Sequence, residues 1–285
     1  MHDRKTQRVF GVATHLALVP LAIVTLIPFV WLVLAAFKTP EDFSGSLFLP
    51  RDDSGAIDLT RLTWMNFVSL FRDVGLGRAM LNSIFLSSMT AVLATLCAAA
   101  GGYALARFRF FGRNAMTLLV LGAIIIPPPL LLAPSYQLLF NLHLLDTFTG
   151  LILPAIAPAF GIFLFRQATR QSVPESLIEA ARIDGASEVG IFVSIVLPLV
   201  RPMIGAFMLL TFLMVWNNFI GPQVVLQTAE RYPLSVAVAQ MRGLYRQDYG
   251  LLMAGTLVSI LPVAGLFLLL QREFIQGLTS GAVKG

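Results

Sequence analysis

Charge is scarce in this chain. Asp, Glu, Lys and Arg make up 12% of its 285 residues, against 57% apolar residues. A soluble domain carries roughly 25% charged residues. Half that supply cannot cover a water-facing surface, which excludes a soluble enzyme, and the apolar excess excludes disorder. Cysteine is nearly absent. Cys97 stands alone inside an apolar run, so there is no disulfide framework and no Cys-based metal site. His2, His15 and His143 lie too far apart for ligand spacing, and no metal site is expected. The chain also lacks a G-x-x-x-x-G-K-[ST] phosphate loop, a nucleophile–base arrangement and any 20–50-residue repeat. What remains is a mean hydropathy of +0.81, which makes the bilayer the natural solvent. The net charge of +5 then reads as Lys and Arg held in cytoplasmic loops rather than as a nucleic-acid surface.

A membrane-spanning helix needs about 20 apolar residues. Six candidates follow in order: Val9–Phe37, Ala79–Leu105, Ala115–Leu138, Thr149–Phe165, Met203–Ile220 and Tyr249–Leu270. The first is too long for a signal-peptide core and reads as an uncleaved anchor. The third contains Pro127, Pro128 and Pro129, which predict a kink. The fourth is short and holds Pro154 and Pro158, but it is free of charge, and prolines are tolerated where neighbours re-satisfy the freed carbonyls. The chain therefore reads as a short N-terminus, residues 1–8, followed by one transmembrane domain, residues 9–285.

Basic residues orient the spans. Arg4, Lys5 and Arg8 precede the first. Arg107, Arg109 and Arg113 crowd the link between the second and third. The link from Asn141 to Phe148 has no Lys or Arg, whereas Arg166, Arg170, Arg182 and Arg201 lie in the next. This alternation places both termini in the cytoplasm. The four Arg of the first outer loop, 39–78, run against it, but the bias is strongest in short links. That loop reads as a folded lip. Asn82 and Ser83 read as caps at the start of the second span.

The link from Arg166 to Pro202 is too long and too patterned for a plain connector. Ser172 and Glu175 have capping-box spacing, with Pro174 in the first turn. Leu177, Ile178 and Ala181 form an apolar stripe. Gly185 sits where a left-handed C-cap would fall. A second run, Glu188–Val196, is stopped by Pro198 and Pro202. Two readings stand for the first helix: a surface helix lying among headgroups, or a docking helix. Glu175, Glu179, Asp184 and Glu188 outnumber Arg182, and an acidic face matches a basic protein groove better than anionic lipid. Asp184 also lies near a helix C-terminus, where its charge is unfavourable by about 0.3–1 kcal/mol unless a cation offsets it. Glu179 could instead pair with Arg182 at i+3.

These residues carry a signature. Glu179-Ala180-Ala181, three residues, Gly185, nine residues, then Ile195-Val196-Leu197-Pro198 resembles the EAA loop of ABC importer permeases. The stretch Glu179–Gly185 resembles its carbohydrate-importer version. Thr147–Pro154, Phe212–Asn217 and the tail Gly277–Gly285 extend the likeness to the second permease subunit of maltose-type importers. The resemblance implies an all-α, six-span type I importer permease with a cytoplasmic coupling helix, in the cytoplasmic (inner) membrane. It implies a second, different permease subunit, two ATPase subunits and an extracytoplasmic substrate-binding protein. It implies that this chain is not an enzyme and binds no cofactor, with ATP and Mg on the ATPase subunits. Glu179, Ala180, Ala181, Asp184, Gly185, Ile195, Leu197 and Pro198 would couple to an ATPase. In the tail, 271–285, Gly277, Leu278, Thr279, Ser280, Gly281, Lys284 and Gly285 would reach the ATPase dimer. By composition alone the tail reads as a flexible, frayed end.

Trp216, Asn217 and Asn218 lie near the outer end of the fifth span. Amides at membrane depth face a bundle or a cavity, so these three are candidates for the substrate path, with Trp216 as a stacking face for a sugar ring. The alternative is an interfacial Trp anchor. Two other functions compete with a sugar-importer permease, besides a permease for a glycerol-phosphate derivative. A stand-alone secondary transporter wants an ionisable residue inside a span, and all Asp and Glu fall outside the span centres. A membrane-embedded enzyme wants an acid or His cluster at the membrane face.

Overall fold

The computed structural model describes residues 3–52, 54–244 and 248–280. Every multi-residue element among them is helical. The chain runs through α1 (Asp3–Ala36), α2 (Pro40–Gly45), α3 (Met65–Arg72), α4 (Leu76–Arg107) and α5 (Arg113–Ile125). It continues through α6 (Leu132–Asn141), α7 (Phe148–Ile152), α8 (Ala159–Ser172), α9 (Glu175–Ile183), α10 (Glu188–Ile191) and α11 (Leu197–Leu199). It ends with α12 (Arg201–Trp216), α13 (Ile220–Val225), α14 (Leu234–Leu244) and α15 (Tyr249–Ser280). Three stretches are long and apolar enough to cross a membrane: Thr14–Ala36, Leu76–Arg107 and Tyr249–Leu269. Three bent helix pairs bring the count to six if each is one span.

The bent pairs refine the expected spans. Arg113–Ile125 and Pro128–Asn141 meet at 101°, far beyond the kink expected in span three. Ile126 and Pro127 each precede a proline and both take extended ψ angles, 119° and 126°. A proline ring disfavours the helical region for the residue before it, and two extended residues in succession redirect the chain here. The pair in span four bends by 41° between Ala155 and Ala159. Glu188–Leu199 turns 81° away from Arg201–Trp216, so the second half of the Arg166–Pro202 link runs nearly perpendicular to span five.

The chain groups into two compact units, Met1–Leu76 with Val238–Ile260, and Gly77–Ala237 with Leu261–Gly285. In the first, the segment after α1 is folded into short helices. Thr39 caps α2, and the Lys38 ammonium is buried, donating to the carbonyls of Ser46 (2.6 Å) and Leu47 (3.1 Å). Burial holds the Lys38 pKa below its ordinary value, and nearby Asp42 only partly offsets this. Asp42 in turn pairs with Arg61 at 2.9 Å. Asn66, buried, donates to the carbonyls of Ala36 and Lys38, tying α3 to the end of α1.

In the second unit, α5 packs along α8, and α12 also packs against α8. A Cβ at Gly102 would meet Phe165 and the Arg166 nitrogen at 2.6 Å, so only glycine permits α4 and α8 to approach this closely. Ala98, Tyr103, Phe165, Ile178, Ile191, Val196 and Phe207 share one buried cluster that joins spans two, four and five to the Arg166–Pro202 link. Asn82 and Ser83 lie well inside α4 rather than capping it. The Asn82 amide donates to the carbonyls of Glu230 and Tyr232, and the Leu234 nitrogen donates to Ser83 Oγ at 2.7 Å. Gly277, Leu278, Thr279 and Ser280 continue α15, while Gly281, Lys284 and Gly285 lie outside the described residues.

Candidate functional site

The Arg166–Pro202 link folds as the helix pair expected, with a different start. Ser172 is the last residue of α8, so the capping box does not form. Pro174, with an extended ψ of 139°, stands at the N-cap of α9 instead. At the other end Gly185 has φ +81°. Its N–H donates to the Arg182 carbonyl at 3.1 Å, and the Ala186 N–H to the Ala181 carbonyl at 2.9 Å. This is a Schellman closure, which satisfies the carbonyls that a helix end otherwise leaves free. Ser187 caps α10 by accepting from the Gly190 N–H at 3.1 Å. A π-turn, Phe192–Val196, follows, with the Leu197 N–H donating to Phe192. Pro198 offers no N–H to continue an α-helical ladder there.

The signature residues divide between two faces. Ile178, Ile191 and Val196 are buried, each contributing roughly 1.5–3 kcal/mol relative to exposure. Ala181, Ile195 and Leu197 pack partly against them. Glu179, Ala180, Asp184, Gly185 and Pro198 are exposed, with Ile183 86% and Val189 72% exposed beside them. Glu179 does not pair with Arg182. Arg182 turns to Glu188 at 2.7 Å, and neither Glu179 nor Asp184 forms an ion pair among the described residues. The link thus presents an acidic tip with apolar residues on it.

Two side chains of α4 hold this tip, and sequence reasoning found neither. The Tyr103 hydroxyl donates to Glu188 Oε2 at 2.9 Å, while Glu188 Oε1 accepts from Arg182. Arg182 first and Tyr103 also hold the Glu188 carboxyl below its ordinary pKa, and the Arg182 pKa is raised by the same bond to Glu188. The Arg107 guanidinium donates to the carbonyls of Val173 and Thr169 and lies 3.6 Å from Glu175. One helix therefore grips the start of α9 and the start of α10.

A second polar knot lies far along the sequence. Asp146, at φ +54°, accepts from the N–H groups of Gln227 and Thr228 (3.0 Å each), from the Thr228 hydroxyl and from Arg231 (2.8 Å). The Thr228 hydroxyl first, then these amides, pull the Asp146 carboxyl down to about 2. Near this end of the unit, Trp216 is 6% exposed and stacked on Phe212 with centroids 5.6 Å apart. Its ring is packed against the chain's own core rather than standing open as a stacking face. Asn217 and Asn218 are exposed. No group of His, Cys, Asp and Glu among the described residues could hold a metal ion.

Residues 92–276 match the model of the family "binding-protein-dependent transport system inner membrane component". The chain belongs to this family. It is a permease of the carbohydrate ABC importer kind, a non-catalytic, multi-pass membrane subunit. Among curated relatives, the arabinooligosaccharides transport system permease protein AraQ of Halalkalibacterium halodurans is 38% identical over 99% of both chains. The AraQ of Bacillus subtilis is 35% identical over 97% of both. The lactose transport system permease protein LacG of Rhizobium radiobacter is 30% identical over 92% of both. A solved bacterial ABC transporter involved in import of the acidic polysaccharide alginate shares the permease fold. Its TM-score is 0.81 at 22% identity, covering 94% of this chain and 98% of that one.

Proposed function

We propose that this permease passes a neutral oligosaccharide across the cytoplasmic membrane as one half of a two-permease pore, with both termini in the cytoplasm. A second, different permease subunit completes the pore, an extracytoplasmic binding protein delivers the sugar, and two ATPase subunits bind ATP and Mg. The observation that carries this reading is the exposed tip of α9, where Glu179, Ala180, Ile183 and Asp184 stand clear of the chain's own core. Two carboxylates without an ion pair among the described residues, beside an exposed Ile, suit a groove that is basic at its rim and apolar at its floor. The small Ala180 allows close approach. The tail, carried on α15 to Ser280, supplies the second ATPase contact. The names of the relatives, arabinooligosaccharide and lactose permeases, favour a short pentose or hexose oligosaccharide.

The test is co-expression of the tagged chain with the permease, ATPase and binding-protein genes beside it. The expected result is recovery of both permeases and the ATPase together, with Glu179→Lys losing the ATPase and keeping the permease partner. Full ATPase recovery with Glu179→Lys, together with undiminished import of arabinotriose, would refute the docking role of the tip.

A further inference from the structure

Within the unit Gly77–Ala237 with Leu261–Gly285, a cavity of about 60 Å³ opens against the first half of α4. Ser83, Ser87 and Thr90 line one side, at i, i+4 and i+7 on a single stripe, with Asn218, Pro222 and Pro233 among the residues that close it. The three hydroxyl residues are 2%, 1% and 2% exposed. Ser83 Oγ accepts from the Leu234 N–H, which leaves its own O–H free to donate. Ser87 Oγ is fully buried and has no hydrogen-bond partner among the described residues.

Some helix hydroxyls in this chain donate to the carbonyl four residues back: Thr95 to Ala91 (2.6 Å), Thr256 to Leu252 (2.9 Å), Ser259 to Gly255 (2.7 Å). Ser87 makes no such bond, and it is one of the residues that line the cavity. Among the described residues, Thr169 Oγ1 on α8 is the other buried hydroxyl without a partner, and it does not line this cavity. A buried hydroxyl left unpaired is costly, and a low-dielectric surrounding raises the cost. The backbone agrees. Between α12 and α13 the chain leaves the helix at Asn217–Phe219, beside the cavity. At membrane depth, irregular backbone is tolerated where it is buried in protein or lines a water-filled space. The volume admits about two waters at roughly 30 Å³ each. Among the described residues no Asp, Glu, Lys or Arg lines the cavity, so it offers no counter-charge to an ion. Each hydroxyl can both donate and accept, which matches a neutral hydroxyl in either sense.

We propose that the cavity is a binding subsite for neutral hydroxyl groups, anchored on Ser87, filled by water at rest and entered by a sugar hydroxyl during passage. The second source rests on the sugar-permease reading above. The test uses the complete importer, this chain with its partner permease, ATPase subunits and binding protein, reconstituted in lipid. In one arm, high-resolution electron cryomicroscopy of the sugar-free complex is expected to show density within hydrogen-bond distance of Ser87 Oγ, lost in Ser87→Val. In the other, arabinotriose import is expected to fall about tenfold in Ser87→Val and about threefold in Ser87→Ala, and to be retained in Ser87→Thr. Subunit recovery and basal ATP hydrolysis stay unchanged. A dry cavity in the wild type overturns the proposal. Density with wild-type import in every variant overturns the sugar's entry and leaves water as the occupant. A wild-type complex that imports no sugar refutes the sugar reading, and the density arm then decides the subsite alone.

Discussion

Replacing Gly185 isolates the aim of α9 from its chemistry. A Cβ added at Gly185 meets nothing within 4 Å, so no clash is created. The penalty is conformational alone, because φ is +81°. An L-residue in this region costs roughly 1–2 kcal/mol, and β-branching places Val at the upper end. Asn tolerates the region and costs less. If the Schellman closure between Ala181 and Ala186 sets the angle between α9 and α10, that penalty lowers the population of the aimed pair by about 5- to 30-fold. Transport and binding-protein-stimulated ATP hydrolysis in proteoliposomes should therefore fall in the order Gly, Asn, Ala, Val, at constant membrane abundance. The ordering discriminates, since size alone would spare Ala more than Asn. Equal activity of Gly185→Asn and Gly185→Val with full complex assembly would refute the reasoning.

Other outcomes follow from the same structure. Tyr103→Phe removes one donor to Glu188 and should reduce sugar transported per ATP hydrolysed several-fold, with assembly intact; an unchanged ratio would show that the bond plays no part in coupling. The Asp146 knot is stable wherever its carboxyl is ionised. Because the folded pKa is about 2, its contribution is full above the unfolded value of about 3.9 and is lost as pH falls between the two. Thermal unfolding of the solubilised complex should show that acid slope, and Asp146→Asn should flatten it. Deleting Gly277–Gly285 should leave insertion intact and lower ATPase co-purification; wild-type recovery and transport would return the tail to a frayed end. In a Cys97→Ala background, cysteines at positions 52 and 143 should react with an impermeant reagent from outside, and those at 109 and 187 should not; outside labelling at 187 would invert the topology.

Local signals in the sequence survived into the structure where one segment decides the outcome. The second and sixth spans, the folded segment after α1 and the left-handed Gly185 are of this kind, because length, hydropathy and a missing Cβ act within a few residues. The capping box failed because Ser172 had a competing use: α8 runs on through it, and Pro174, with no N–H to satisfy, took the boundary. The angle of span three was illegible because three adjacent prolines announce a break without giving its direction. Tyr103 meets Glu188 across 85 residues and Asp146 meets Thr228 across 82, and no period or motif in the chain links either pair. Trp216 read as a candidate platform since its type suits stacking; only the structure shows Phe212 packed against it.

Of the three unbroken long helices, α1 contains Pro20 and Pro28 and α15 contains Pro262, whereas α4 contains none. Asn82 and Ser83 fasten its first half to residues 230–234, and Tyr103 and Arg107 fasten its end to α9 and α10. The 21 residues from Asn82 to Tyr103 span about 32 Å at 1.5 Å per residue. A stiff rod of that length is a lever. Tilting it by about 5° about one fastening displaces the other by about 3 Å, more than a hydrogen bond can stretch. A rigid tilt of α4 therefore carries the loop at one end and the tip of α9 at the other together, and a single proline placed in α4 between Leu86 and Ala99 would let one turn without the other.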